Sequence, residues 1–534
     1  MAASEVDVLV VGGGATGAAA ARDAALRGLR VALCEAGDFA SQTSSHSSQL
    51  IHGGLRYLQY GDLRLVFEGL TERRRLMTIA PHLCRQLEFL FPAYAGERPG
   101  LRTLGAGITL YNTLALWRPP VGGRRLSAGD VYQASPFLRS AGLAGAQLYV
   151  DCQTDDARLV LETILDAEAA GALIASHLPV RRLMRDRTGH ARGVIAYDAD
   201  SEREISIRSH VIINATGPFS DAFDVGRHNL RPTLGVHLVF DGERLPLGGR
   251  AMVLRSPRDN RLFFALPAGA RAVVGTTDTD WVGRDGAGAP PRLGDPIRAR
   301  RADVDYLLEA ANHAFPAAAL TADDVISTYA GLRPLVAVPA HTPSSTSREH
   351  ELRREADGVI SIVGGKLTTM RLMAEELVDC AVEALRDRGF EGPVDPCVTA
   401  SRPLPGAGPP AALEGSELAP EIAAHLKKTY GARAGRVLNE ADEAPALRVR
   451  IDPELPFIWA EVLHAARHER AREVEDVLRR RIPIFRQSRD QGLGAAARVA
   501  ELMAPIVGWS AARQADSVAA YADAVALTRR WQTD

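Results

Sequence analysis

The chain lacks any excess of one charge: 63 Lys and Arg residues stand against 65 Asp and Glu, for a formal net charge of −2. No global field draws nucleic acid to it, and any anion site must be built locally. It also lacks a long apolar run. The best candidate, residues 105–117, is shorter than the ~18–20 residues a bilayer span needs and carries Asn112. Cysteine is sparse. Cys34, Cys84, Cys152, Cys380 and Cys397 are odd in number and scattered without metal-ligand spacing, so reduced thiols packed as small apolar residues are expected, with no metal centre. The opening MAASEVDVLVVGGG has no basic segment before its apolar run, and a signal peptide is not expected. These absences describe a cytoplasmic protein that would meet a membrane, if at all, peripherally from its inner face.

What is present is core-forming residue. Of 534 residues 46% are apolar and 24% charged, which suits two or three globular domains. Val6–Val11 reads as a strand, Ala15–Arg27 as an alanine-rich helix and Arg30–Cys34 as a second strand. Helical patterns return at 63–79 and 157–170, and short strand-like runs fill 178–279. Residues 401–418, rich in proline, glycine and small side chains, read as a linker, beyond which nearly everything looks helical.

Gly12, Gly14 and Gly17 form G-x-G-x-x-G between the first strand and helix. The first permits a tight turn, the second lets backbone approach a pyrophosphate, and the third allows close helix–strand packing. Glu35 closes the second strand, where a carboxylate accepts hydrogen bonds from ribose hydroxyls. The fingerprint is single and N-terminal, and a hydroxyl-rich stretch, Thr43–Ser48, follows Glu35 in place of another regular βα unit. Two distant segments, VIINATGPFSD at 211–221 and ISIVGGKLTTMR at 360–371, read as returns to the same sheet. The second ends a strand in Gly364-Gly365 and starts a helix, which would place free N–H groups at an electron-rich ring edge. A long cofactor with two ends, FAD, explains this scatter better than NAD.

SSQLIHGGLRYL (47–58), DDARLVLE (155–162), NATGPFSD (214–221), GTTDTD (275–280), TYAGLRPL (328–335) and GGKLTTMR (364–371), in this order, resemble the signature segments of FAD-dependent, quinone-linked glycerol-3-phosphate dehydrogenases. The resemblance covers roughly residues 5–375. It implies an α/β, two-lobed flavoprotein fold of the glycine/D-amino-acid oxidase type. FAD-binding segments would be about 1–80, 150–225 and 325–400, a β-sheet substrate-capping lobe about 81–149 and 226–324, and a helical domain 419–534. Implied cofactor contacts are Gly12, Gly14, Gly17, Glu35, Thr43, Ser44, Ser45, Ser47, Ser48, Leu50, Gly53, Val180, Ala215, Thr216, Gly217, Gly365, Lys366, Leu367 and Thr368.

The family oxidises sn-glycerol 3-phosphate to dihydroxyacetone phosphate and passes the electrons to a quinone. That chemistry asks for a cationic cradle, a proton acceptor and a flavin against the C2–H bond. Arg56, Arg333 and Lys366 form the cationic set, with Tyr57 and Thr276 as further substrate contacts. His52 and His237 are the proton acceptors to choose between, with Arg333 beside them as catalytic. Asp155-Asp156 reads as an acidic helix start. Three departures from the family pattern bear on substrate choice: Gln49 where lysine is common, apolar Leu234 and Val236 before His237, and the small loop Pro267–Ala270. An oxygen-using oxidase of the same fold and a non-catalytic flavin-binding regulator are the alternatives. Arginines crowd 467–489 among acids; they read as a solvated helix with i,i+4 pairs, or else as a basic face for anionic lipid. A homodimer is the remaining partner considered.

Overall fold

The computed structural model describes residues 5–199, 201–222, 230–283, 286–287, 290–336, 350–409, 413, 418–442 and 444–534. The first of its two large sheets grows from the N-terminal βαβ unit. Val6–Val11 is buried along its whole length, as a strand covered on both faces must be. It pairs in parallel with Val31–Cys34 on one side and Arg203–Asn214 on the other. Leu173–Ala175 extends one flank; Ile360–Gly364 and then His350–Arg354 extend the other. Helices Ala15–Leu26, Asp156–Ala169 and Met370–Asp387 share one core beneath this sheet. Alanines 18, 20, 21 and 24 allow the close approach there. An antiparallel meander, Val180–Arg185 and Ala191–Asp198 with the start of Arg203–Asn214, covers the opposite face.

Among the described residues the second sheet has ten strands. Thr233–Asp241 lies between Arg271–Gly275 and Ser327–Arg333, antiparallel to both. The sheet continues through Leu262–Ala268 and Ala251–Arg255 to Arg85–Tyr94 and Leu143–Gln153. Strand alternation divides its faces. Leu234, Val236, Leu238 and Phe240 join a core closed by Val304, Leu307, Ala310 and Ala311 of helix Arg301–Ala314. Gly235 and His237 face a chamber on the other side.

Three strands cross the lobe boundaries expected from sequence. Leu50–Ile51 and Ser327–Arg333 were placed with the cofactor segments, yet both pair into the ten-stranded sheet. Leu143–Gln153 runs unbroken through the expected break at 149/150. Backbone pairing, invisible in composition, decides membership: Ser327–Arg333 satisfies an edge of Thr233–Asp241 that would otherwise be buried unpaired.

Of the expected linker, 410–412 and 414–417 lie outside the described residues. Its first part is docked: Leu404 is buried and its N–H donates to the Ile79 carbonyl at 2.8 Å. The helices that follow, Pro420–Tyr430, Ala434–Asn439, Ala460–His468, Leu493–Val507 and Ala511–Arg529, enclose cores of their own.

The crowded arginines divide: Arg467, Arg470, Arg472 and Arg489 are exposed, while Arg480 and Arg481 are buried. Two local pairs do occur, Arg479–Glu475 at 2.6 Å and Arg480–Asp476 at 2.8 Å. The larger use is at long range. Buried Arg481 donates to both oxygens of buried Asp38, at 2.6 and 2.8 Å, and Arg480 joins the same carboxylate. Arg470 pairs with Glu168, Arg489 with Asp241, and Arg467 with Glu440. Charges withdrawn from water persist only when paired and hydrogen-bonded, as Arg480 and Arg481 are with Asp38, while the exposed Arg489 reaches Asp241 at the end of a strand of the second sheet.

Candidate active site

A groove of about 310 Å³ opens at the strand ends of the first sheet. Gly12, Gly14, Glu35, Thr43, Ser44, Ser47, Val180, Ala215, Thr216, Gly217, Gly365, Lys366 and Leu367 line it. Gly12 has φ +107°, and a Cβ there would lie 2.5 Å from the Ala215 carbonyl oxygen. A Cβ on Gly17 would overlap the Gly12 carbonyl oxygen, so Gly17 sets the helix against the turn from outside the groove. The Ala15 N–H donates to Ser44 Oγ at 2.9 Å. Glu35 accepts from the Gly13 and Gly37 N–H groups at 2.6 and 2.8 Å. Burial raises its pKa above the ordinary carboxylate value despite those donors.

At the groove's other end Gly364 and Gly365, with φ +81° and +88°, turn the chain into Leu367–Thr369 and helix Met370–Asp387. A floor closed to Cβ atoms, a helix start and a terminal acid fit a dinucleotide: diphosphate at the glycine turn, ribose at Glu35. FAD fits this groove and the chamber beside it.

That chamber holds about 1060 Å³ and is walled by the ten-stranded sheet. His52, Arg56, Tyr57, His237, Thr276, Arg333 and Lys366 all line it, so the sequence-predicted substrate and catalytic residues meet in one space. Thr43, Ser47, Pro334, Gly365, Lys366 and Leu367 line both chamber and groove. Arg333 donates to Thr276 Oγ1 at 2.8 Å and to Asp278 Oδ1 at 3.2 Å. Gly235 makes room for it, since a Cβ would come within 2.7 Å of the guanidinium carbon. Lys366 Nζ sits 3.7 Å from the centre of the Tyr57 ring, a cation–π contact. The His52 N–H donates to Thr368 Oγ1 at 3.1 Å.

His237 is buried, and its Nε2 lies 2.9 Å from Ser48 Oγ. Its ring stacks on Tyr329, centroids 4.5 Å apart at 10°. Burial, with the Arg333 and Arg486 guanidinium groups nearby, holds its pKa well below the ordinary histidine value. The imidazole is therefore neutral at neutral pH, and its cationic form is disfavoured in this surrounding.

Other residues from the sequence reading serve differently. Ser48, Leu50 and Thr368 line the chamber. Ser45 and Gly53 line neither space; the Gly53 N–H donates to Tyr111 Oη at 2.7 Å. Asp155 caps its helix through the Arg158 N–H. Asp156 instead accepts from the Ser47 N–H at 3.0 Å and Oγ at 2.7 Å. Gln49 donates to the same carboxylate at 3.2 Å, beside the site and outside both linings. Leu234 and Val236 face the core, and Pro267–Ala270 line neither space. None of these positions lines the chamber.

The sequence reading missed Tyr329 and Asp278 as partners of His237 and Arg333, and the apolar wall of Phe89, Phe91, Tyr149, Val253 and Phe264. Alternation along Arg85–Tyr94 was the available signal for part of that wall.

Residues 7–380 match the family model for FAD dependent oxidoreductase, and residues 397–514 match that for the C-terminal domain of alpha-glycerophosphate oxidase. Glycerol-3-phosphate dehydrogenase 2 of Mycobacterium tuberculosis is 37% identical, over 97% of this chain and 87% of its own. Glycerol-3-phosphate dehydrogenase of Synechocystis is 36% identical over 94% and 93%. Among solved structures, glycerol-3-phosphate dehydrogenase from Bacillus halodurans complexed with FAD superposes with a TM-score of 0.78 at 29% identity. It covers 99% of this chain and 96% of that one.

Proposed function

The chain belongs to the FAD-dependent oxidoreductase family, and from that premise we propose that it oxidises sn-glycerol 3-phosphate to dihydroxyacetone phosphate with a quinone as final acceptor. The observation that carries this reading is the shared wall: the cationic chamber opens onto the dinucleotide groove through Gly365, Lys366 and Leu367. Bound FAD supplies the acceptor for the C2 hydride and relays the electrons onward. Arg56, Arg333 and Lys366 hold the phosphate dianion and orient the glycerol chain, with Tyr57 and Thr276 as neighbouring contacts. Arg333 is held for this by Thr276 and Asp278. His237 is the proposed acceptor of the C2 hydroxyl proton, because its Nδ1 is buried without a hydrogen-bond partner among the described residues. His52 lines the same chamber and is the other proton-acceptor candidate.

The quinone reading extends to a membrane face. Leu63, Phe67, Leu110, Leu116 and Trp117 are exposed on or beside helices Leu63–Ile79 and Leu101–Leu114, with Trp117 59% exposed. The second helix also carries chamber-lining Thr103, Leu104 and Gly107. Exposed apolar side chains on and beside a helix that also contributes to the chamber wall support approach of a lipophilic acceptor. No helix among the described residues is long and apolar enough to cross a membrane.

The test is anaerobic addition of sn-glycerol 3-phosphate to the purified protein with the flavin's visible absorption followed. Bleaching reversed by a soluble quinone analogue is the expected result. A flavin that stays oxidised overturns the substrate. Reoxidation by oxygen as fast as by quinone, with peroxide release, overturns the acceptor.

A further inference from the structure

The C-terminal helical domain approaches the chamber with two arginines: Arg479, whose Nη2 lies 3.2 Å from Nε2 of chamber-lining His46, and Arg486. Arg486, in the short helix Ile484–Gln487, places its guanidinium carbon 4.5 Å from the centre of the Tyr329 ring. Tyr329 stacks in turn on His237, whose Nε2 meets Ser48. Arginine, ring, imidazole and hydroxyl therefore form one column across the domain boundary. The column is anchored at its base: the Arg486 carbonyl accepts from Ser327 Oγ at 2.8 Å, and the Gln487 carbonyl from Arg271 Nε at 2.7 Å. Arg486 Nη1 is 4.0 Å from Asp156, whose carboxylate holds Ser47.

We infer that Arg486 is a positioning residue for the proposed oxidation: its planar guanidinium clamps Tyr329 from behind and so fixes the plane of the His237 ring in the chamber. The inference rests on the reading of His237 as a substrate-facing group. A planar cation stacked on a ring restricts tilt as well as attracting it, which an ammonium does not do. Catalytic groups displaced by about 1 Å lose much of their effect, so a clamp one residue removed acts on kcat while leaving substrate affinity alone. The phosphate-binding cations, Arg56, Arg333 and Lys366, are separate from it.

The same geometry fixes the electrostatics around His237. Facing it are Ser48 and His46 from the hydroxyl-rich segment, Thr276 and Asp278 beyond Arg271–Gly275, Tyr329 and Arg333 from the neighbouring strand, and Arg486 behind. Asp278 is engaged by Arg333 and Arg261, and Asp156 lies beyond Arg486. Arg486 is therefore one of two arginine charges set against protonation of His237. Removing it raises the histidine's pKa, and the acid limb of kcat/KM moves towards neutral pH.

The experiment compares the FAD-loaded wild type with Arg486→Met and Arg486→Lys by steady-state kinetics across pH 5–9 with a soluble quinone analogue. In R486M kcat falls several-fold, KM holds, and the acid limb rises by about one pH unit, the size of an ordinary environmental shift. In R486K the limb stays at its wild-type position while kcat still falls, because charge is kept and the plane is lost. An unmoved limb with wild-type kcat in flavin-replete R486M overturns the inference. If R486M does not fold, wild-type kcat in R486K overturns it equally. A wild-type protein that never oxidises glycerol 3-phosphate overturns the underlying reading instead, and is seen before any variant is made.

Discussion

The groove and the chamber share a wall but are made of different material. The groove is largely backbone: glycine turns, a helix start, and amide donors held by Glu35 and Ser44. The chamber is side chain: arginines and Lys366, the imidazoles of His46, His52 and His237, and an aromatic wall, with Tyr329 stacked on His237. Backbone geometry admits a residue or rejects it, because a Cβ against a carbonyl oxygen has nowhere to move. Side-chain geometry degrades by degrees, one hydrogen bond or charge at a time. Binding of the cofactor should thus fail abruptly on substitution, and turnover gradually.

The sharpest way to break that contrast is Gly17→Ala. Its methyl group would overlap the Gly12 carbonyl oxygen, so the purified variant should carry no flavin, read from the ratio of visible to protein absorbance. A fully yellow G17A protein would remove the distinction. Arg333→Ala belongs to the chamber: flavin should stay bound while kcat/KM falls about a thousandfold, ~4 kcal/mol of transition-state stabilisation. Loss of flavin in R333A would mean that the two spaces are not separable.

Asp38→Asn tests a third material, the ionic seam. Asp38 is fully buried beneath Arg480 and Arg481, and leaving those arginines short of a carboxylate should cost about 3 kcal/mol of stability. Denaturant unfolding measures this, and turnover per bound flavin should be retained. The smallest effect is set by pH. Burial, aided by nearby arginines, holds His46, His82 and His237 below the ordinary histidine pKa, His82 at about 4. As pH falls from about 6.5 the unfolded chain gains protons that these folded histidines refuse. Stability should therefore fall between about pH 6.5 and 4. His177 opposes this, since Asp476 outweighs the effect of its burial and raises its pKa. A urea midpoint at pH 5 equal to that at pH 7.5 would contradict this balance, and His82→Gln should flatten the slope.

The same contrast explains what was legible in sequence. Gly12, Gly14, Gly17 and Glu35 act within one βαβ unit, so order along the chain is nearly order in space. Arg56, His237, Arg333 and Lys366 were found as separate segments, and the structure brings them to one chamber. Their partners were hidden, because Tyr329 meets His237 only through strand register. The arginines of 467–489 were read only in part: two i,i+4 pairs do form, but the burial of Arg480 and Arg481 against Asp38 was not foreseen. Their spacing fits a solvated helix, while Asp38 lies 443 positions from Arg481, and no local pattern encodes a pair at that separation. The apolar residues before His237 looked like a departure in the pocket until alternation turned Leu234 and Val236 towards the core.

Gly365, Lys366 and Leu367 face both spaces at once, and a wall common to two ligands makes their occupancies a linked equilibrium. Whatever affinity the small anion gains when the dinucleotide is in place, the dinucleotide gains by the same factor when the anion is in place. Cofactor retention is then a property of the fed enzyme as much as of the fold. A protein starved of its substrate should release its flavin at a different rate from one turning over, slower or faster according to the sign of that coupling.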